Sequence, residues 1–135
     1  MPIVQWKDEY IINVEEIDIQ HQTMVKLVNN LHSSVEARKD KSELERLLVE
    51  LIGYTHMHLS TEEKRMRKNA DPGLKLHHKE HRSLLEHVYQ LVALVANGHR
   101  PTFFSDYDLS SDWMIAHITE HDKKMGRYLN SKGVY

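Results

Sequence analysis

The feature that most constrains the fold of this chain is the spacing of its apolar residues. Four stretches carry them at the three- and four-residue intervals of an amphipathic α-helix, and no stretch shows the sustained two-residue alternation of a strand. Polar segments, or segments that contain Pro and Gly, separate the four stretches. Four helices of about 20 residues joined by short connections predict an all-α fold, an antiparallel up-down four-helix bundle.

The predicted boundaries follow from local helix signals. Asp18 can cap the first helix, and Ser42 with Glu45 three residues later forms a capping box for the second. Ser110, with Asp112 in the first turn, starts the fourth helix. We therefore expect a single domain over 1–135, with an extended N-terminal arm at 1–17 and helices at about 18–38, 42–69, 74–97 and 110–131.

Composition excludes several kinds of protein. The formal net charge is -2, which gives no basic patch for nucleic acid and no polybasic membrane anchor. With 0 cysteines, the chain has neither disulfides nor thiolate-ligated metal sites. The first residues are too polar for a signal peptide and no apolar run is long enough to span a bilayer, so we expect a cytoplasmic protein. The unusual count is that of histidine, with 11 in 135 residues.

Helical wheels drawn at about 100° per residue separate the histidines that face the core from those that face solvent. On the second helix His58 and Glu62, four residues apart, fall within the apolar stripe, whereas His56 lies on the far side. On the third helix His77 and His81 lie at the centre of the stripe, again four residues apart. Side chains four residues apart lie side by side on a helix, so each pair can reach one metal ion or two adjacent ions.

The first and fourth helices are less decisive. His21 and His32 both lie on the apolar stripe of the first helix, but they are roughly 16 Å apart along its axis and cannot share one site. On the fourth helix the wheel places His121 nearer the centre of the stripe than His117, with Asp122 on its other side. Periodicity alone does not choose between these two histidines.

Histidines outside this group have simpler interpretations. A lone histidine on an apolar face is more often a hydrogen-bonded core residue than a ligand, and we interpret His32 in that way. Four further histidines are interpreted as surface residues: His56, His78, His87 and His99.

The inward-facing polar group indicates a cation site. A buried carboxylate such as Glu62 is costly unless it is paired or bound to metal, and here several imidazoles face the same core. Imidazole and carboxylate donors without sulfur suit iron, manganese, zinc or copper. Because six or seven donors exceed what one zinc ion takes, two metal ions are the natural number. The Glu-x-x-His motifs of ferritin-like di-iron bundles are absent from the sequence.

The order of these residues along the chain resembles the hemerythrin family, specifically its single-domain bacterial members. The matching segments are EEIDIQHQTMV, YTHMHLSTEEKRM, HHKEHRSLLEHV and WMIAHITEHDKKMGRYL, together with the arm that contains Trp6. The resemblance covers nearly the whole chain and implies that the last helix contributes His117 and Asp122 rather than His121. The metal ligands that it implies are His21, His58, Glu62, His77, His81, His117 and Asp122.

The resemblance also implies a cofactor, which is a pair of iron ions bridged by oxide or hydroxide. It assigns His77, His81 and His117 to one iron, His21 and His58 to the other, and Glu62 and Asp122 as bridges between them. The iron with two histidines keeps an open position, where the resemblance implies that oxygen binds as a hydroperoxide.

Four residues are expected to line the oxygen pocket: Met24, Leu59, Trp113 and Met114. Two of them depart from the usual family pattern, because Leu59 stands where phenylalanine is common and Met114 stands where leucine is common. Neither change removes a ligand. Since methionine is flexible and oxidisable, we hypothesise that Met114 gates ligand access to the pocket.

The function that the resemblance implies is non-enzymatic, reversible binding of O2 for delivery, storage or buffering. One alternative is an oxygen or redox sensor that works through a separate, unidentified protein partner. Another is a di-iron enzyme that processes peroxide or nitric oxide, since nothing in the ligand set excludes it. A bundle that is metal-free or holds zinc in a structural role is a further alternative. We expect no nucleic-acid partner and no membrane anchor.

Overall fold

The computed structural model describes residues 4–99 and 111–135, with side chains from 114 onward in the second range. The arm contains a short 3-10 helix at Asp8–Tyr10. Three long helices follow, α1 at Glu15–Glu36, α2 at Lys41–Lys68 and α3 at Leu74–Ala96. The last helical stretch consists of α4 at Ser111–Ala116, a π-helix at His117–Asp122 and α5 at Lys123–Ser131. These three segments follow one another without a break, and together they are called the C-terminal rod.

The long helices pack side by side, α1 along α2 and α2 along α3. Short connections at 37–40 and 69–73 reverse the chain between them, so neighbouring helices are antiparallel. The predicted all-α four-helix bundle with an N-terminal arm is confirmed, and the described residues contain no strand. None of the described helices combines the length and the hydropathy that crossing a membrane requires, and a cytoplasmic location stays a prediction.

The first long helix begins earlier than predicted. α1 starts at Glu15, and Asp18 is not its N-cap. The Asp18 carboxylate instead accepts hydrogen bonds from the backbone N–H groups of Ile12 at 2.8 Å and Asn13 at 3.1 Å. Asp18 therefore attaches the arm to α1, because its side chain satisfies two backbone donors of the arm.

The start of α2 also differs from the prediction. Asp40 is the N-cap, and its side chain accepts a hydrogen bond from the backbone N–H of Glu43 at 3.0 Å. The predicted capping box of Ser42 and Glu45 is wrong by two residues, because Asp40 and Glu43 have the same three-residue spacing. Ser110 and the Asp112 side chain lie outside the described residues.

The arm packs against α1 and the C-terminal rod. The backbone of Val4 exchanges two hydrogen bonds with the Asn29 side chain of α1, at 2.9 and 2.8 Å. Further along, the carbonyl oxygen of Ile12 lies so close to Gly126 of α5 that a side chain at Gly126 would clash with it. The arm thus covers the rod at a point where only glycine fits.

Two apolar clusters fill the bundle, one towards each end. One includes Leu48 and Leu91, and the other includes Met66. Along α2, His58 and Glu62 lie between Leu48 and Met66. The polar residues therefore lie in the middle of the bundle, with apolar packing on both sides.

Candidate metal centre

Two of the long helices present pairs of polar side chains to the interior. On α2, His58 and Glu62 are four residues apart, and they are 3% and 0% exposed. On α3, His77 and His81 have the same spacing and are 3% and 1% exposed. Since residues four apart lie on one face of an α-helix, regular helical geometry is enough to direct both pairs inward.

The C-terminal rod reaches the same interior through its π-helical turn. His117 and Asp122 are five residues apart, which in a regular α-helix would place their side chains about 140° apart. A π-helical turn contains about one residue more, so the two side chains lie on one face. His117 and Asp122 are 7% and 0% exposed, whereas the His121 side chain is 27% exposed and lies 3.8 Å from Glu80. The wheel was therefore wrong to place His121 further inward, because it assumed an α-helix.

Glu62 lies at the centre of four imidazoles. The Nε2 atoms of His21 on α1 and His58 on α2 lie 3.2 and 3.1 Å from its Oε2. The Nε2 atoms of His77 and His81 on α3 lie 2.9 and 3.0 Å from its Oε1. Each oxygen of this carboxylate therefore has two ring nitrogens as neighbours.

Asp122 closes the cluster from the side of the C-terminal rod. Its Oδ1 lies 3.1 Å from Nε2 of both His77 and His117, and its Oδ2 lies 3.0 Å from Nε2 of His21. His21 and His77 therefore contact both Asp122 and Glu62 through a single nitrogen. Because one N–H cannot donate in line to two oxygens, hydrogen bonding alone does not explain this convergence. Donor atoms that converge on shared points are what cations require.

The donor atoms form two overlapping groups, and within each group all of them lie within 4.8 Å of one another. The larger group is Glu62, His77, His81, His117 and Asp122, and the smaller group is His21, His58, Glu62 and Asp122. Both carboxylates belong to both groups, so each could bridge two ions. The nitrogen and oxygen donors fit iron, and two groups fit a pair of ions better than one. The structure thus brings together all of the ligands that the resemblance implied.

The two carboxylates are held in their charged form despite burial. Burial by itself would raise the pKa of Glu62, but the charges and hydrogen bonds of His58 and His21 hold that pKa well below its usual range. Burial and the nearby Glu62 charge would likewise raise the pKa of Asp122, and His117 and His21 outweigh them, so this pKa is also well below its usual range. The site therefore offers two anionic bridging groups at neutral pH.

Two imidazoles balance these anions in the metal-free protein. Burial by itself would lower the pKa of His21, but hydrogen bonds and charge attraction from Asp122 and Glu62 raise it to about 10. The same partners overcome burial at His77 and raise its pKa to about 10. Since His21 and His77 belong to different donor groups, each of two metal ions would displace one of these protons.

Two polar residues that the sequence did not single out contact the outer nitrogens of the histidines. The Nδ1–H of His58 donates to the side-chain oxygen of Gln20 at 2.8 Å, and the Gln20 amide nitrogen contacts Thr61 Oγ1 at 3.3 Å. On the other side, Nδ1 of His81 lies 3.4 Å from a Glu63 oxygen. A proton held on Nδ1 leaves Nε2 free to bind a metal, so Gln20 and Glu63 support the tautomer that a ligand needs.

A cavity of about 40 Å³ adjoins the smaller donor group. A water molecule needs about 10–15 Å³ of such space, so a diatomic molecule fits. The apolar part of its wall consists of Met24, Val28, Leu51, Leu59, Leu84, Val88, Met114 and Ile118. Both histidines of the smaller group, His21 and His58, line the cavity, whereas His117 is the one histidine of the larger group that does so. The cavity therefore lies mainly beside the group that has fewer histidines.

Three of the residues expected to line an oxygen pocket lie on this wall, namely Met24, Leu59 and Met114. The Trp113 side chain lies outside the described residues. The wall residues come from α1, α2, α3 and the C-terminal rod, so the cavity exists only where all of them meet.

The other histidines lie away from the centre. His56 is exposed and its Nε2 lies 2.7 Å from the Tyr89 hydroxyl, and exposed His78 pairs with Glu63. His32 and His87 are half-buried, and His99 is exposed. The surface interpretation thus holds for His56, His78 and His99, whereas His87 is partly covered. His87 donates through Nδ1 to the carbonyl of Ser83 in its own helix, at 2.7 Å.

The chain is similar to known proteins over nearly its whole length. Residues 13–129 match the family described as Hemerythrin, the hemerythrin HHE cation binding domain. The chain is 30% identical over 132 residues to a bacteriohemerythrin of Methylococcus capsulatus, across 97% of this chain and 100% of the relative. It is 23% identical over 130 residues to a bacteriohemerythrin of Stenotrophomonas maltophilia, across 91% of this chain and 79% of that protein.

Solved structures give the same result. A crystal structure of wild-type hemerythrin has a TM-score of 0.83 and 30% sequence identity to this chain, and it covers 93% of this chain and 97% of its own. A hemerythrin point mutant has a TM-score of 0.85 at 30% identity, with coverage of 96% and 98%. Fold, site and similarity together define a helical-bundle class of proteins that bind oxygen at non-haem iron. The chain belongs to the hemerythrin family, and its resemblance to the bacterial members is confirmed.

Proposed function

We propose that this protein binds oxygen reversibly at a pair of iron ions and serves as an oxygen carrier, store or buffer. The observation that supports this most directly is the pair of overlapping donor groups that share Glu62 and Asp122. A small, mostly apolar cavity lies beside the group that has only His21 and His58 as its histidines. That arrangement suits two bridged ions, one of which has space for a small ligand.

The proposal assigns each donor to an ion. His77, His81 and His117 would hold one iron and His21 and His58 would hold the other, while Glu62 and Asp122, which belong to both donor groups, would serve both ions. Two bound ferrous ions would supply the two electrons that oxygen takes up on binding and returns on release. The second group has one histidine fewer, and the cavity beside it would leave room for a small ligand at the ion held there.

The cavity wall favours binding over turnover. Apart from the proposed ligands, the described wall residues include no titratable side chain, and Thr55 provides a hydroxyl. Enzymatic processing of peroxide or nitric oxide commonly requires a positioned acid or base, and such a group would have to lie near the ligand. The apolar wall also excludes water and stray protons, which favours release of oxygen unchanged.

The histidines are preorganised for this role by their neighbours. Gln20 is fixed by its contact with Thr61 and accepts the Nδ1 proton of His58. With that proton on the outer nitrogen, Nε2 presents its lone pair to the centre of the bundle. We therefore expect Gln20→Ala to weaken metal binding without removing a ligand.

The experiment that tests the proposal is iron analysis together with visible spectra of the reduced protein before and after exposure to air. We expect about two irons per chain and a band that appears in air and disappears when oxygen is removed. His58→Ala should abolish the band. The matched control is His56→Ala, because His56 is exposed two residues away and lies outside both donor groups.

Two outcomes would contradict the proposal. One is a protein that binds iron but shows no reversible spectral change in air. The other is an equal loss of the band in His58→Ala and His56→Ala, which would show that the α2 ligand was wrongly assigned.

A further inference from the structure

An open groove of about 270 Å³ lies on the outside of the bundle between α2 and α3. Ser60 and Glu63 of α2 and Leu85 of α3 form part of its wall. Leu59 lines this groove and also lines the central cavity. One side chain is therefore common to an open groove and to the buried space beside the candidate metal centre.

The position of Leu59 suits a partition between the two spaces. It follows His58 on α2, is 5% exposed, and belongs to the apolar cluster that also contains Leu84. Its side chain has no polar group, so moving it breaks no hydrogen bond. A leucine can change rotamer within its packing more readily than a helix can move.

Two other grooves on the described surface share no lining residue with the cavity. One of them, of about 400 Å³, lies beside His77, and the other, of about 410 Å³, lies beside Gln20. Met114, the gate that the sequence suggested, lines the cavity but does not line the groove between α2 and α3.

We propose that Leu59 is the gate through which oxygen and other small apolar molecules pass from the α2–α3 groove into the cavity. The identity of the ligand rests on the proposed function, whereas the route itself depends only on the shape of the protein. Rotation of the Leu59 side chain joins the groove to the cavity, and its return closes the cavity to water. Met114 then affects the shape of the far wall rather than the rate of entry.

The test uses xenon as an apolar probe and measures its exchange with the cavity by xenon NMR on the full chain as purified. Leu59→Ala removes the partition and should speed exchange by about tenfold or more, which corresponds to about 1.4 kcal/mol of barrier. The matched control is Leu84→Ala, because Leu84 lines the same cavity and loses the same atoms but does not line the groove. We expect Leu84→Ala to change the exchange rate several times less. Met114→Leu should leave the rate unchanged.

A second pair of variants avoids the core, in case Leu59→Ala does not fold. Ser60 is exposed and lines the groove, so Ser60→Trp should cover the entrance and slow xenon exchange several-fold. Val49→Trp is its control, because Val49 is 71% exposed on the same helix and does not line the groove. We expect Val49→Trp to exchange xenon at the parent rate.

Equal rates in Leu59→Ala and Leu84→Ala, or in Ser60→Trp and Val49→Trp, would overturn the proposed route. A change in Met114→Leu as large as that in Leu59→Ala would overturn it in favour of the Met114 gate. Since xenon needs no iron, a protein that fails to bind oxygen but shows the expected xenon rates would contradict the proposed function alone.

Discussion

α2 and the C-terminal rod place the same chemical groups at the centre of the bundle with different backbones. Each supplies one histidine and one carboxylate, and Glu62 and Asp122 are both 0% exposed. In α2 the histidine and the carboxylate are four residues apart in a regular α-helix. In the rod they are five residues apart, and a π-helical turn at His117–Asp122 brings them to one face.

The difference teaches that sequence spacing reports side-chain direction only when the type of helix is known. A wheel at about 100° per residue is correct for α2 and wrong for the rod, since a π-turn contains about one residue more. π-helical turns are uncommon and occur often at functional sites. The π-helical turn therefore helps to form the site, because it directs Asp122 inward and leaves His121 partly exposed.

The largest effect of a single substitution should come from removing either shared carboxylate. Glu62→Gln and Asp122→Asn each replace an anion of both donor groups with a neutral amide, which is a poor bridge between two cations. We expect iron analysis to give about one ion per chain or fewer in both variants. Glu50→Gln is the control, because Glu50 is exposed on the same helix as Glu62 and lies outside both groups, and it should keep the parent iron content. A full iron content in one of the two carboxylate variants would show that Glu62 of α2 and Asp122 of the C-terminal rod do not have equivalent roles.

Single-residue deletions should distinguish the regular α-helix of α2 from the π-helical turn of the C-terminal rod most clearly. Deleting Ser60 rotates the rest of α2 by about 100° and turns Glu62 and Met66 away from the core, so we expect loss of the fold. Deleting Glu120, which is exposed in the π-turn, leaves His117 and Asp122 with the spacing of an α-helical pair. That chain should fold, with a Tm close to that of the parent and with its iron retained. Circular dichroism melts and iron analysis check both results.

The deletion experiment has a clear contrary outcome. If loss of Glu120 unfolds the protein as completely as loss of Ser60 does, the π-turn is not a local one-residue insertion. The rod would then have to be regarded as a backbone that its surroundings fix along its whole length.

The pH dependence of the stability of the metal-free protein tests whether Glu62 and Asp122 act on the same histidines. The pKa values of His21 and His77 are raised to about 10 by Asp122 and Glu62, against the lowering effect of burial. Folding therefore favours the protonated form of both imidazoles. Their contribution to the stability of the metal-free protein is complete below about pH 6.5 and is lost as the pH rises through about 10. The carboxylates have lowered pKa values, so their contribution is lost as the pH falls below their ordinary pKa values near 4.

Metal affinity should change with pH in the opposite direction to the stability of the metal-free protein. Metal ions displace the protons of His21 and His77, so we expect apparent metal affinity to rise between about pH 6.5 and 10 while the metal-free protein becomes less stable. Urea unfolding of the metal-free protein and metal titration at several pH values check the two slopes. Glu43→Gln, which removes an exposed carboxylate paired with Arg46, should change neither slope. Metal affinity that is flat over this window would contradict the assignment of protonated imidazoles to the site.

The smallest effects should come from replacing one glycine of α2 and one glycine of the C-terminal rod. The two changes in unfolding free energy should have opposite signs. Gly53 in α2 has no heavy atom within 4 Å of an added Cβ, so Gly53→Ala should stabilise the protein by about 0.8–1 kcal/mol through helix propensity. Gly126 in α5 lies against the carbonyl of Ile12, so Gly126→Ala should destabilise it by about 1–3 kcal/mol. Urea denaturation measures both changes. Stabilisation by Gly126→Ala would show that the arm moves away from the rod at little cost.

The regular part of the site could be predicted from the sequence because its physics is local. His58 and Glu62, like His77 and His81, follow the four-residue spacing of α-helices and fall within apolar stripes. Both pairs are buried in the structure. The choice of His117 over His121 came from the family resemblance, since no local signal reveals a π-turn.

Other features depend on contacts between distant parts of the chain. Gln20 meets His58 across 38 positions, and nothing in the sequence around Gln20 marks it as a partner. Asp18 satisfies two N–H groups of the arm rather than capping a helix, although its residue type and position are those of a cap. Such choices are decided by tertiary packing, which a wheel or a capping rule does not contain.

The central claim is that side chains from α1, α2, α3 and the C-terminal rod hold two metal ions between shared carboxylates. It is tested most directly by anomalous X-ray diffraction at the iron edge from crystals of the iron-loaded protein. We expect two anomalous peaks, one bound by Nε2 of His77, His81 and His117 and one bound by Nε2 of His21 and His58, with Glu62 and Asp122 bound to both. A single peak, or a Glu62 carboxylate that contacts no metal, would contradict the account.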